Sequence, residues 1–126
     1  MKYDLLYLAG GALLGAFLRY KVTGDSLFIG SLPVSVLIVN ITGSFILGMS
    51  STAVSSLGLD ERYTLLIGIG FCGSLTTMSS FAFESVNLIS VGEVATAGVD
   101  IILNVGASLG AIILGRALMT LLLGLG

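Results

Sequence analysis

Residues 70–84 read GFCGSLTTMSSFAFE. Two glycines, two threonines and three serines stand there inside the third of the chain's long aliphatic stretches. A glycine pair weakens a helix, because Gly loses more backbone freedom on folding than any other residue. Non-helical backbone at membrane depth is tolerated only where it is buried in protein or lines a wet cavity. The segment therefore predicts a third helix broken near its middle, with freed carbonyl and N–H groups able to meet an ion.

The rest of the chain sets the solvent around that break. Of its 126 residues 56% are hydrophobic and 10% charged, against a charged share of about 25% in soluble domains. Lipid covers most of such a chain. No charge occurs between Ser26 and Leu59. Spans of about 20 apolar residues are needed to cross a bilayer, and four fit, at 4–22, 33–56, 63–89 and 97–120. The expectation is an all-α membrane protein of four transmembrane helices, one domain over 1–126, multi-pass in the cell membrane. Asp100 and Arg116 are 16 residues apart in sequence, about 24 Å of helix, and are expected near opposite headgroup layers.

Several function classes fall away. Histidine is absent and Cys72 is the single cysteine, so a disulfide within the chain and a His/Cys metal cluster are excluded. Cys72 reads as a small buried packing residue. There is no phosphate loop, no nucleophile–base pair and no nucleic-acid signature, so no enzyme is expected. Pumps keep an ionisable residue deep in a span. The first two spans have none, and Glu84 lies toward the end of the third. Passive conduction fits better than coupled transport.

Four spans put both termini on one side. That side carries Lys2, Arg62 and Arg116, and the other carries Arg19 and Lys21. Orientation follows the Lys/Arg excess in short loops, and three against two barely states one. Insertion in both orientations is the sharper reading. Four short spans do not easily enclose a pathway alone, so a homo-oligomer is expected, with a dimer the commonest closed form. Among 18 glycines, GALLG (11–15) and GASLG (106–110) have the spacing that lets helices approach closely in lipid. Asn40 stands in the middle of the second span, and Asn104 and Ser108 share one face of the fourth.

Three stretches, GGALLGAFLRY (10–20), VNITGSFILG (39–48) and GFCGSLTTMSSFAFE (70–84), together resemble the Fluc (CrcB) fluoride channels. The resemblance implies an antiparallel, dual-topology homodimer with two fluoride pores, passively exporting fluoride from the cytoplasm. It implies a structural Na⁺ at the dimer centre, held by the backbone carbonyls of Gly73 and Thr76. It places Asn40, Ser79, Ser80, Phe81 and Ser108 along the pore and Arg19 at its vestibule. Phe81 matches one of two pore phenylalanines whose electropositive ring edges face fluoride. Met78 stands where the other is expected, and Ser74 where many members carry Gly. Glu84 matches the acid that closes the third motif. Two other readings stay open on the residues alone. A proton-coupled four-span exporter needs an acid embedded in the first span, which is missing here. A packing scaffold leaves Asn40 and the polar break without a role.

Overall fold

A computed structural model describes residues 3–125. Lys2, counted in the charge balance above, lies outside the described residues. Helix α1 runs Asp4–Gly24 and α2 runs Ser35–Leu57. The third span starts with a π-helical segment, Thr64–Cys72, continues as one turn, α3 (Gly73–Leu75), and resumes as α4 (Met78–Ser90). The fourth is α5, Val94–Leu122. All four spans are long and apolar enough to cross a membrane. Each agrees with its expected boundaries to within a few residues, because unbroken apolar length is a local property of the sequence.

Two details differ from an all-helical chain. The loop between α1 and α2 folds into a short hairpin, with β1 (Phe28–Ile29) antiparallel to β2 (Leu32–Pro33). Gly30, at φ 62°, makes the turn in a backbone region that L-residues rarely adopt. Ser35 anchors this loop: its hydroxyl accepts from Leu27 N–H at 2.9 Å and donates to the Asp25 carbonyl at 3.2 Å. The second detail is the π-helical segment itself. Such i→i+5 turns are rare and concentrate at functional sites.

The helices pack through glycine. α1 lies on the π-helical segment, where a Cβ at Gly11 would strike the Leu66 carbonyl oxygen and one at Gly15 that of Phe71. Gly70 answers from the other side, with Leu8 O only 2.7 Å from where its Cβ would be. α2 and α5 form the most extensive pair. There a Cβ at Gly48 would strike the Ile112 carbonyl oxygen and one at Gly115 that of Phe45. In lipid such close backbone approach replaces the hydrophobic drive that holds helices together in water. GALLG thus packs as its spacing suggests. GASLG does not pack within the chain: Gly106 and Gly110 have nothing within 4 Å of their Cβ positions. The spacing says which residues share a face, and the rotation of the helix decides whether that face meets a neighbour.

The interior is small and centres on Val36, Val39, Cys72, Leu75 and Ala97. Cys72 is 1% exposed, a buried packing residue as expected. Large apolar side chains such as Leu13, Phe17, Ile102 and Leu121 point outward, as a lipid-facing surface requires.

Substituting Gly15 or Gly115 by Ala should lower the thermal midpoint in detergent, by overpacking worth about 1–3 kcal/mol. Gly98, with open space around its Cβ position, should tolerate Ala without loss. A midpoint unchanged in Gly115→Ala would show that the helices are not held at backbone contact.

Candidate functional site: the break in the third span

The break lies at the threonines rather than at the glycine pair. Gly73 keeps helical angles (φ −64°, ψ −28°), whereas Thr76 (φ −76°, ψ 154°) and Thr77 (φ −150°, ψ 114°) are extended. The expectation that Gly70 and Gly73 open the helix is therefore corrected. Gly70 serves close packing instead. Thr77 works as the N-cap of α4: its hydroxyl accepts from Ser80 N–H at 3.2 Å, satisfying one of the orphan donors at a helix start. Thr76 turns its own hydroxyl back to the Cys72 carbonyl at 3.0 Å.

Asn40 of α2 holds the break. In a continuous helix the Thr77 N–H would bond the Gly73 carbonyl. Here it donates to Asn40 Oδ1 at 2.8 Å, and Asn40 Nδ2 donates to the Thr77 carbonyl at 3.3 Å. One side-chain amide so satisfies both polar groups of one extended residue. Gly43, one helical turn on from Asn40, lets Thr76 sit directly against α2, since a Cβ there would meet Thr76 Cγ2.

Behind Asn40 runs a buried polar row on α5. Asn40 Nδ2 also donates to Asn104 Oδ1 at 2.9 Å. Asn104 Nδ2 donates to Asp100 Oδ1 at 2.8 Å and to the Asp100 carbonyl at 3.2 Å. Ser85 of α4 donates to Asp100 Oδ2 at 2.8 Å. Asp100 is 0% exposed. It is therefore turned into the protein rather than outward, while Arg116, at the other end, is exposed. Sequence distance placed Asp100 along the helix axis but not around it. The spacing of Asp100, Asn104 and Ser108, each four residues from the next, is the signal that could have revealed an inward polar stripe.

A cleft of about 400 Å³ opens beside the break. Its lining includes Asn40, Thr76, Met78, Phe81, Asn104 and Ser108. Ser108 Oγ is buried there and has no hydrogen-bond partner among the described residues. Phe81 is 7% exposed and forms part of the wall, whereas Met78 is 72% exposed and stands at the rim. Both hydrogens of Asn40 Nδ2 are engaged by protein acceptors, so in this arrangement the buried hydroxyl of Ser108 is a free donor at the cleft, whose lining also includes Ser44. Ser79 and Ser80 face a second recess, with Thr23, Phe83 and Glu84. The Thr77 hydroxyl links the two, at 3.2 Å from Ser79 Oγ and 3.1 Å from Ser80 Oγ.

Arg19 reaches inward from α1, and its guanidinium donates to the Thr76 carbonyl at 3.3 Å. The donors expected to hold Na⁺ are thus the Gly73 carbonyl, whose helical partner has gone to Asn40, and the Thr76 carbonyl, with one of two lone pairs taken by Arg19. Neutral oxygens at a helix interruption suit a hard cation, and two from one chain fill only part of the usual shell.

Replacing Asn40 by Leu leaves the buried Thr77 N–H without its acceptor, a loss of about 1–3 kcal/mol. The Thr77 amide should then exchange with deuterium much faster than in the wild type. Unchanged protection would mean that Asn40 does not hold the break.

Comparison with known proteins agrees with this architecture. A family profile described as CrcB-like protein, Camphor Resistance (CrcB), matches residues 6–116. A fluoride-specific ion channel FluC of Nitrosopumilus maritimus is 49% identical over 117 residues, covering 93% of each chain. FluC of Methanococcus maripaludis is 39% identical over 113 residues, 90% of this chain and 93% of its own. FluC of Shewanella amazonensis is 35% identical over 118 residues, 92% of this chain and 95% of its own. The profile spans the glycine-packed helices, the Asn40-held break and most of α5, and on that extent of agreement the chain is a multi-pass membrane protein of the CrcB family.

Proposed function

We propose that this chain is a passive, fluoride-selective channel that lets fluoride leave the cytoplasm. The observation that carries the reading is the Ser108 hydroxyl, buried and unpartnered on a residue that lines a cleft beside a broken helix. A small anion gives up water only where donors replace it. The relatives bearing the name fluoride-specific ion channel support fluoride as that anion.

Each residue then has a role. Ser108 supplies an O–H to the dehydrated ion at the cleft. Phe81 offers an electropositive ring edge, and Met78 an adaptable apolar rim. Ser79 and Ser80 continue the hydroxyls on the far side of Thr77, toward Glu84 and Thr23. Asn40 forms the wall, and fluoride would compete with Asn104 Oδ1 for its Nδ2–H. Arg19 sets a fixed positive charge at the break, which attracts anions. Nothing in this set supplies coupling. Asp100 is an ionisable residue in the last span, yet both its carboxyl oxygens are bonded and it is absent from the cleft's lining.

The working unit is an antiparallel homodimer with two pores. The near-even Lys/Arg balance, the outward Gly106 and Gly110 and the exposed Met78 all support a second, inverted copy. At its centre the Gly73 and Thr76 carbonyls of both copies would hold Na⁺, which would fix the two breaks against one another.

Purified protein in sealed liposomes should release fluoride passively, at a rate indifferent to an imposed proton gradient. No release from well-assembled protein would refute the channel. Phe81→Ile keeps apolar volume but removes the ring edge, and should slow release at least about tenfold if the edge contributes the 1.4 kcal/mol that this factor represents. A near-normal rate would remove Phe81 from the direct ligands of fluoride.

Dual topology is tested by labelling. Glu61 is exposed in the α2–third span loop and lies outside the strained Gly58, at φ 59°. With Cys72 buried, the Cys introduced in Glu61→Cys should react from both faces of the cell membrane. Reaction from one face alone, in functional protein, would exclude inverted copies.

A further inference from the structure

Asp100 lines neither the cleft nor the second recess, yet it is fully buried and accepts three hydrogen bonds, one from the Ser85 hydroxyl and two from the Asn104 amide. We propose that Asp100 is a positioning residue for the anion path: it fixes the direction of the Asn104 and Asn40 amides, and so keeps the break held and Ser108 free. This rests on the channel reading only for its effect on flux.

A side-chain amide has a donor end and an acceptor end, and a chain of amides has a direction. The Asp100 carboxyl and carbonyl oxygens both draw Asn104 Nδ2 toward the start of α5. Asn104 Oδ1 must then face α2, where it accepts from Asn40 Nδ2. That turns Asn40 Oδ1 toward the Thr77 N–H. Reversal at Asn104 would set its Nδ2 against Asn40 Nδ2. Relief by turning Asn40 would set an N–H donor against the Thr77 N–H instead. The carboxyl, the nearer of the two acceptors at 2.8 Å against 3.2 Å for the carbonyl, so biases the orientation of groups two links away, and buried networks of this kind act as a unit.

The same tether keeps Asn104 from its other neighbour. Ser108 is one helical turn from Asn104 on the same face, within reach of its amide. Released from Asp100, Asn104 Oδ1 can turn and accept the Ser108 hydroxyl. The cleft would then lose that buried donor. The bland alternative is that Asp100 only ties α5 to α4 through Ser85.

Four variants separate the two, read by amide exchange at Thr77 and by fluoride efflux over a range of fluoride concentrations. Asp100→Leu removes both carboxyl acceptors. It should speed Thr77 exchange and slow efflux about tenfold, with a higher half-saturating concentration, the split that distinguishes altered binding from fewer working channels. Asp100→Asn keeps an acceptor for Asn104 and should restore both readouts. Ser85→Ala cuts the tie to α4, together with the hydroxyl's bond to the Phe81 carbonyl within α4, and leaves the Asp100–Asn104–Asn40 bonds in place, so it should leave both at wild-type values. Should Asp100→Leu fail to assemble, Asn104→Ala cuts the next link and should likewise speed Thr77 exchange, while leaving Ser108 without the amide that would capture it. The proposal is overturned if Ser85→Ala loses as much as Asp100→Leu, or if the cut relay leaves Thr77 exchange unchanged. It is also overturned if efflux falls at an unchanged half-saturating concentration. Exchange at Thr77 reports the relay whether or not fluoride passes. Wild-type protein that conducts nothing would therefore refute the channel and leave the relay to be judged on exchange alone.

Discussion

At membrane depth a backbone N–H has no water to turn to, and that of Thr77 is met by Asn40. The third span can leave its helix at Thr76 and Thr77 because this amide replaces, from α2, the bonds that a helical turn would have made. Without it the choice would lie between an orphaned donor in an apolar interior and a continuous helix. The Thr77 hydroxyl completes the arrangement by capping α4. The break is thus an agreement between two helices rather than a weakness in one.

That agreement needs the helices close together, and glycine brings them there. Gly43 lets Thr76 lie against α2, and Gly48 and Gly115 bring α2 and α5 to backbone contact. Close α2–α5 packing is also what allows Asn40 and Asn104 to bond directly at 2.9 Å. The packing glycines and the polar network are therefore one design. Small residues set the distance, and the polar groups use it. Both serve the same end in lipid, where apolar burial alone does not favour one helix pair over another.

The cleft inherits its chemistry from what the network leaves over. Asn40, Asn104 and Thr77 spend their hydrogen-bonding groups on one another, and the Ser108 hydroxyl does not. A buried hydroxyl without a partner is costly in an apolar setting, and a passing anion is a natural complement to it. Apolar Phe81 and Met78 line the same cleft, Phe81 in its wall and Met78 at its rim. A polar scaffold satisfied internally, with hydroxyl donors to spare, suits a site that an ion must enter and also leave.

The four spans, their limits and the membrane as solvent were legible in the residues alone, because apolar length and sparse charge are read along the chain. So were the existence of the break in the third span and the significance of Asn40, since a lone amide amid aliphatic residues demands a partner. The partners themselves were not legible. The break lay at the Thr pair instead of the glycines, because tertiary contact with Asn40 and Gly43 overrode local helix propensity. Asp100, expected near a headgroup layer, has its side chain turned inward, and GASLG, expected to pack, turned outward. Both outcomes depend on how each helix is rotated about its own axis. Sequence spacing states which residues share a face, and only the packing of all four spans decides where that face points.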